Sequence, residues 1–88
     1  MKRLRHHHLR KGPPGKGRVV ELDLIEVAAQ GVGLDGVGYL VNFRSGREGA
    51  ALQEGTRTTL PVSLERAARI LARELQRRQA DGYVEVGV

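Results

Sequence analysis

The residues of this 88-residue chain best equipped to ligate a metal are three consecutive histidines, His6, His7 and His8. A metal site needs ligands held at fixed angles, each imidazole backed by a hydrogen-bond partner. Adjacent histidines on a mobile arm supply neither and read instead as a fragment of a purification tag or a polar, weakly basic tail, so no metal site is expected. Glu21, Asp23 and Glu26 are a second candidate, as carboxylates for metal-assisted hydrolysis, and Glu21 and Asp23 share one strand face. Residues 19–88 contain no His, Cys or Lys to serve as base, nucleophile or charge partner, and Ser45 and Ser63 have no base to activate them. The chain is therefore expected to have no enzyme activity and to need no cofactor.

Gly31-Val-Gly33-Leu-Asp-Gly36 spells the dinucleotide-binding pattern after a strand, but that chemistry requires a helix to begin there. The next segment, Tyr39-Leu-Val-Asn-Phe-Arg44, reads as a strand instead, so the glycines are expected to form a hairpin loop. Arg66, Arg69, Arg73 and Arg77 recur at helical spacing and make a candidate phosphate rail. The same pattern suits a solvated face, with Glu65–Arg69 and Glu74–Arg78 as i,i+4 ion pairs. An aromatic content of 3% argues against a platform for stacking single-stranded bases.

The elements that must position these groups can be read from periodicity. Val20, Leu22 and Leu24 alternate with Glu21 and Asp23, the pattern of a strand with one wet face. Tyr39, Val41 and Phe43 repeat it, completing an antiparallel hairpin. Ser45 to Gly55 reads as a polar loop and Thr56 to Leu60 as a β-prone stretch. Ser63 is a candidate N-cap for a helix whose stripe is Leu64, Ala67, Ala68, Leu71 and Leu75, with Gly82 as its stop. Tyr83 to Val86 closes as a short strand. The expected class is α+β: a small antiparallel sheet of about four to five strands, in β-β-β-α-β order, with one C-terminal helix packed on it.

Charge divides the chain. The net +5 is carried by residues 1–18, which hold seven cations and no acid; residues 19–88 hold eight arginines and ten acids, a net of −2. Residues 1–17, with Gly12-Pro-Pro-Gly15 and few apolar side chains, are expected to be a flexible basic arm, and residues 18–88 the folded domain. No apolar run approaches the ~20 residues of a membrane span. With no cysteine and no apolar stretch behind the basic N-terminus, a cytoplasmic protein is expected.

From Gly38 onward the sequence resembles the WGR domain, named for a Trp-Gly-Arg turn and found in DNA-dependent poly(ADP-ribose) polymerases and in small bacterial proteins. Tyr39 to Arg44 resembles the strand entering the turn, and Ser45-Gly46-Arg47 stands at the turn itself, with Gly49 in the loop after it. Glu54-Gly55-Thr56 precedes the next strand. Leu64-Glu65-Arg66-Ala67 resembles the family's helix start and Asp81-Gly82-Tyr83-Val84 its close. The resemblance implies the fold and a DNA-binding role, in which the tryptophan packs on a terminal sugar and basic groups hold phosphates. Ser45 replaces that tryptophan and offers no such surface. The expected function is a nucleic-acid-binding accessory module, contacting DNA through Arg44, Gly46, Arg47 and Arg57, with Arg10, Lys11, Lys16 and Arg18 adding phosphate contacts; bound to DNA, it would be nucleoid-associated. The alternative is a protein–protein interaction module, using Ile70, the sheet edges and the Ser45–Gly55 loop.

Overall fold

The computed structural model describes residues 1–29 and 36–86. Along these the chain forms β1 (Lys2–Lys11), β2 (Arg18–Ala28), β3 (Val37–Arg47), β4 (Gln53–Thr56), α1 (Leu64–Ala80) and β5 (Val84–Glu85). The strands make one antiparallel sheet in the order β4-β3-β2-β1-β5. One C-terminal helix lies on it, the α+β class expected. The order gains a strand at its beginning, because residues 2–11 are not a mobile arm.

That correction has a clear physical cause. β1 pairs with β2 from Lys2↔Glu26 to Lys11↔Arg18, so its backbone groups are satisfied by a ladder rather than by water. Its one deeply apolar anchor, Leu9, is 0% exposed and sits opposite Val20. Several of its long cationic side chains find carboxylates, Arg3 on Asp23 and Arg10 on Glu48, while the strand itself is held from both sides, by β2 and by β5. Gly17, in the β1–β2 turn, has no room for a side chain, since a Cβ there would run into the Lys11 carbonyl. The folded unit therefore begins at β1, not at residue 18.

β2 and β3 obey their sequence alternation. Leu22 lies opposite Phe43 and Leu24 opposite Val41, and with Leu9, Val20, Ala67, Leu71 and Tyr83 they form the core between sheet and helix. Burying each large aliphatic of this kind contributes roughly 1.5–3 kcal/mol. The expected polar loop at 45–55 is shorter than the sequence suggested: β3 runs on to Arg47, and β4 already begins at Gln53. Beyond Thr56 the chain stays attached to β3 without forming a regular strand. Thr58 is buried and its Oγ1 accepts from the Val41 amide at 3.1 Å, while Tyr39 and Val62 exchange backbone hydrogen bonds at 2.8 and 3.0 Å. The glycine pattern at 31–36 lies, except for Gly36, outside the described residues; the element directly after Gly36 is β3, not a helix.

Ser63 caps α1 as its sequence implies, its Oγ accepting from the Arg66 amide at 3.2 Å. At the other end Gly82 adopts φ +97°, its amide donates to the Gln79 carbonyl, and the Tyr83 amide donates to the Arg78 carbonyl. That pair of bonds is a Schellman closure, and it directs Tyr83 into the core. The helix is rotated relative to its predicted stripe. Ala67, Leu71 and Glu74 are buried, Ile70 and Leu75 pack beside them, and Leu64 and Ala68 face solvent. No helix among the described residues is long and apolar enough to cross a membrane.

Because β1 is a structural strand, Leu9→Ala should destabilise the protein by about 2–5 kcal/mol in urea denaturation, the range for a buried leucine. Deleting residues 1–11 should abolish cooperative unfolding, whereas removal of a mobile arm would leave the transition intact.

Candidate nucleic-acid interface

The register of three adjacent strands brings cations into one row. Lys11 lies opposite Arg18, and Arg18 lies opposite Arg47. Neighbouring strands are about 4.8 Å apart, so the row presents three positive side chains across one end of the three central strands. Like charges placed directly across a ladder destabilise it. Only Lys11 finds relief, from Asp81 at 3.6 Å and from the Tyr83 ring, whose centroid is 5.7 Å away. Arg18 and Arg47 are exposed and have no carboxylate partner among the described residues. Lys16, on the β1–β2 turn, lines one shallow hollow with Arg47. Four residues expected from the sequence to bind nucleic acid thus converge: Lys11, Lys16, Arg18 and Arg47.

The other expected contacts are committed elsewhere. Arg44 donates to Glu21 at 2.9 Å. Arg10 pairs with Glu48, whose carboxylate also accepts from the Gly15 amide and so ties the β1–β2 turn to the β3–β4 turn. Arg57 lies over the Phe43 ring, 4.7 Å from its centroid, and bonds Glu74 through Nε at 3.1 Å. Gly46 serves packing: a Cβ there would press on Leu52 Cδ2 at 3.2 Å. Ser45-Gly46-Arg47 is the end of β3 rather than a turn, and the chain reverses just after it, where Gly49 takes φ +84°.

Glu74 is the charged residue that sequence reasoning missed as an anchor. It is 6% exposed, and three guanidiniums surround it: Arg57 at 3.0 Å, Arg78 at 3.7 Å and Arg77 at 3.8 Å. The expected Glu74–Arg78 pair is present; Glu65–Arg69 is not among the ion pairs of the described residues. Arg66, Arg69 and Arg73 line a second shallow hollow with Ile70 on the outer side of the helix, without carboxylate partners among the described residues. Arg77, the fourth member of the expected rail, leans toward Glu74 instead.

The histidines also differ from expectation, because a strand alternates its side chains. His7 shares its face with Leu9 and meets Glu85 at 2.6 Å. His6 and His8 point to the opposite, helix-free face, where His6 Nδ1 meets Asp23 at 2.6 Å and Glu21 lies opposite His8. The geometry that the sequence denied these two residues is supplied by pairing with β2. Near the other end of the sheet Tyr39 donates to Glu26 at 3.3 Å; partial burial first, then that carboxylate, hold its phenol above the usual value.

Comparison of the chain with protein-family models, with curated proteins and with solved structures gives no match. The Glu74 cluster gives a direct test of the helix–sheet junction. Glu74→Gln should lower stability by about 1–3 kcal/mol in urea denaturation, less than for a fully buried pair because the surrounding arginines retain access to water.

Proposed function

We propose that this chain is a WGR-like, non-catalytic nucleic-acid-binding module that grips phosphates with the row Lys11, Arg18 and Arg47, aided by Lys16. The observation that carries this reading is the cross-strand alignment of these cations, with Arg18 and Arg47 lacking carboxylate partners among the described residues. A phosphate bound there relieves the repulsion that the row imposes on the sheet and accepts charge-assisted hydrogen bonds from the guanidiniums. Arg47 is also the residue that the WGR resemblance singles out. Arg66, Arg69 and Arg73 extend the positive surface along the helix.

In this reading the cations do not act as a loose tail. The basic segment is a strand, several of its charges are paired, and recognition falls chiefly to Arg18, Arg47 and Lys16, joined by Lys11 from its solvent-exposed pair with Asp81. DNA is the favoured ligand because of the family resemblance; contact with phosphates alone does not distinguish it from RNA. The alternative, a protein-interaction module, draws on Leu60, 75% exposed beside Pro61, Arg66 and Ile70.

Salt titration of binding to blunt duplex, nicked duplex and single-stranded oligomers tests the proposal. The double variant Arg18→Gln/Arg47→Gln should bind at least about tenfold more weakly, with a log K against log salt slope shallower by about 2. Arg44→Gln should change the slope much less, since Arg44 is engaged by Glu21. Absence of binding at low salt, or an unchanged slope in the double variant, overturns the reading; self-association in sedimentation velocity would then favour the alternative.

A further inference from the structure

The helix-free face of the sheet holds a cluster that phosphate binding does not use. His6 and His8, two residues apart on β1, face Glu21 on β2, and one ligating atom from each of the three lies within 4.8 Å of the others. His6 Nε2 is 3.6 Å from Glu21 Oε1. Two ligands of a tetrahedral ion with bonds near 2.0–2.1 Å stand about 3.4 Å apart, so this pair is nearly at ligating separation. We propose that His6, His8 and Glu21 form a mononuclear site for a divalent transition-metal ion of the Zn²⁺ class.

An observation independent of ligand spacing supports it. The Nδ1 of His6 is 2.6 Å from Asp23 Oδ1, and Arg3 approaches the same carboxylate at 3.8 Å. When Nδ1–H donates to Asp23, the tautomer is set and the lone pair stays on Nε2, the atom that faces Glu21. An imidazole oriented by a carboxylate behind it is the arrangement that protein zinc sites use to fix and strengthen a histidine ligand. Asp23 is therefore a positioning residue. The backbone is held as well: the His8 carbonyl accepts from the Val86 amide at 2.8 Å, so β1 is clamped between β2 and the C-terminal segment at the ligand positions.

The donor set selects the metal class. Two imidazoles and one carboxylate suit Zn²⁺ and its transition-metal neighbours rather than Mg²⁺ or Ca²⁺, which take oxygen ligands. Three protein ligands leave a fourth position toward solvent. Glu21 also accepts from Arg44 at 2.9 Å, which restrains the carboxylate, and a carboxylate oxygen retains capacity for a second partner. The site lies on the opposite face from the Lys11–Arg18–Arg47 row and does not depend on nucleic-acid binding.

The test uses the full chain, without any added histidine tag and stripped with a chelator, titrated with Zn²⁺ by calorimetry. One equivalent should bind. Asp23→Asn should weaken binding by about 10–100-fold, the usual effect of removing such a partner, and His6→Ala, His8→Ala and Glu21→Gln by at least as much. His7→Gln should leave the affinity within about twofold, because strand alternation puts His7 on the other face. On the unaltered protein, Zn²⁺ should shift the imidazole NMR signals of His6 and His8 and spare those of His7. Absence of saturable one-to-one binding, or equal loss in the His7 and His8 variants, overturns the proposal, the latter because it marks a disordered histidine run.

Discussion

Pairing of β1 with β2 is the constraint on which the rest of the structure depends. It joins the most cationic stretch of the chain to its most regularly alternating strand, through a backbone ladder and through Leu9 against Val20. β5 has no partner without β1, and Tyr83, which enters the core just ahead of β5, packs beside Leu9 in the same cluster. The pairing also sets which β1 side chains face the helix and which face away. Arg5, His7, Leu9 and Lys11 take one side; His6, His8 and Arg10 take the other.

Charge is redistributed by this pairing. Along the sequence, cations and acids are segregated, and the basic segment looks like a freely available polyanion binder. In three dimensions Arg3 meets Asp23, Arg10 meets Glu48 and Lys11 meets Asp81. Exposed pairs of this kind contribute little stability each, yet they decide which cations remain available. The same sorting occurs on the helix: Glu74 gathers Arg57, Arg77 and Arg78, while Arg66, Arg69 and Arg73 stay outward. Arg18, Arg47 and Lys16 of the proposed phosphate grip are left without carboxylate partners among the described residues when these pairs are formed, while Lys11 enters it from its exposed pair with Asp81. Because His6 and Arg18 lie on opposite sides of the sheet, the proposed metal site and the phosphate row can act without competing for residues.

Glu74 explains why the helix sits rotated from its apolar stripe. A stripe drawn through Leu64, Ala67, Ala68, Leu71 and Leu75 treats every glutamate as solvated. Arg57, carried on the segment after β4 and stacked on Phe43, offers a guanidinium at the sheet surface that a buried carboxylate can satisfy. In the observed orientation Glu74 is buried and Leu64 and Ala68, toward the N-terminal end of the helix, are exposed.

Local rules made much of the fold legible. Alternation identified β2 and β3, Ser63 and Gly82 marked the ends of the helix, and the α+β class emerged from them, because capping and side-chain period are properties of neighbouring residues. The first strand was not legible. A run of arginines, lysines and histidines carries no alternating apolar signal, and only the partner strand supplies the hydrogen bonds and the pocket for Leu9. For the same reason the sequence named Lys11, Lys16, Arg18 and Arg47 as cations but not as a cluster, and named three histidines without separating His7 from the other two. Residue types and local periods are written in the chain; register across strands, and with it which charges are paired, is decided only when distant segments share a sheet.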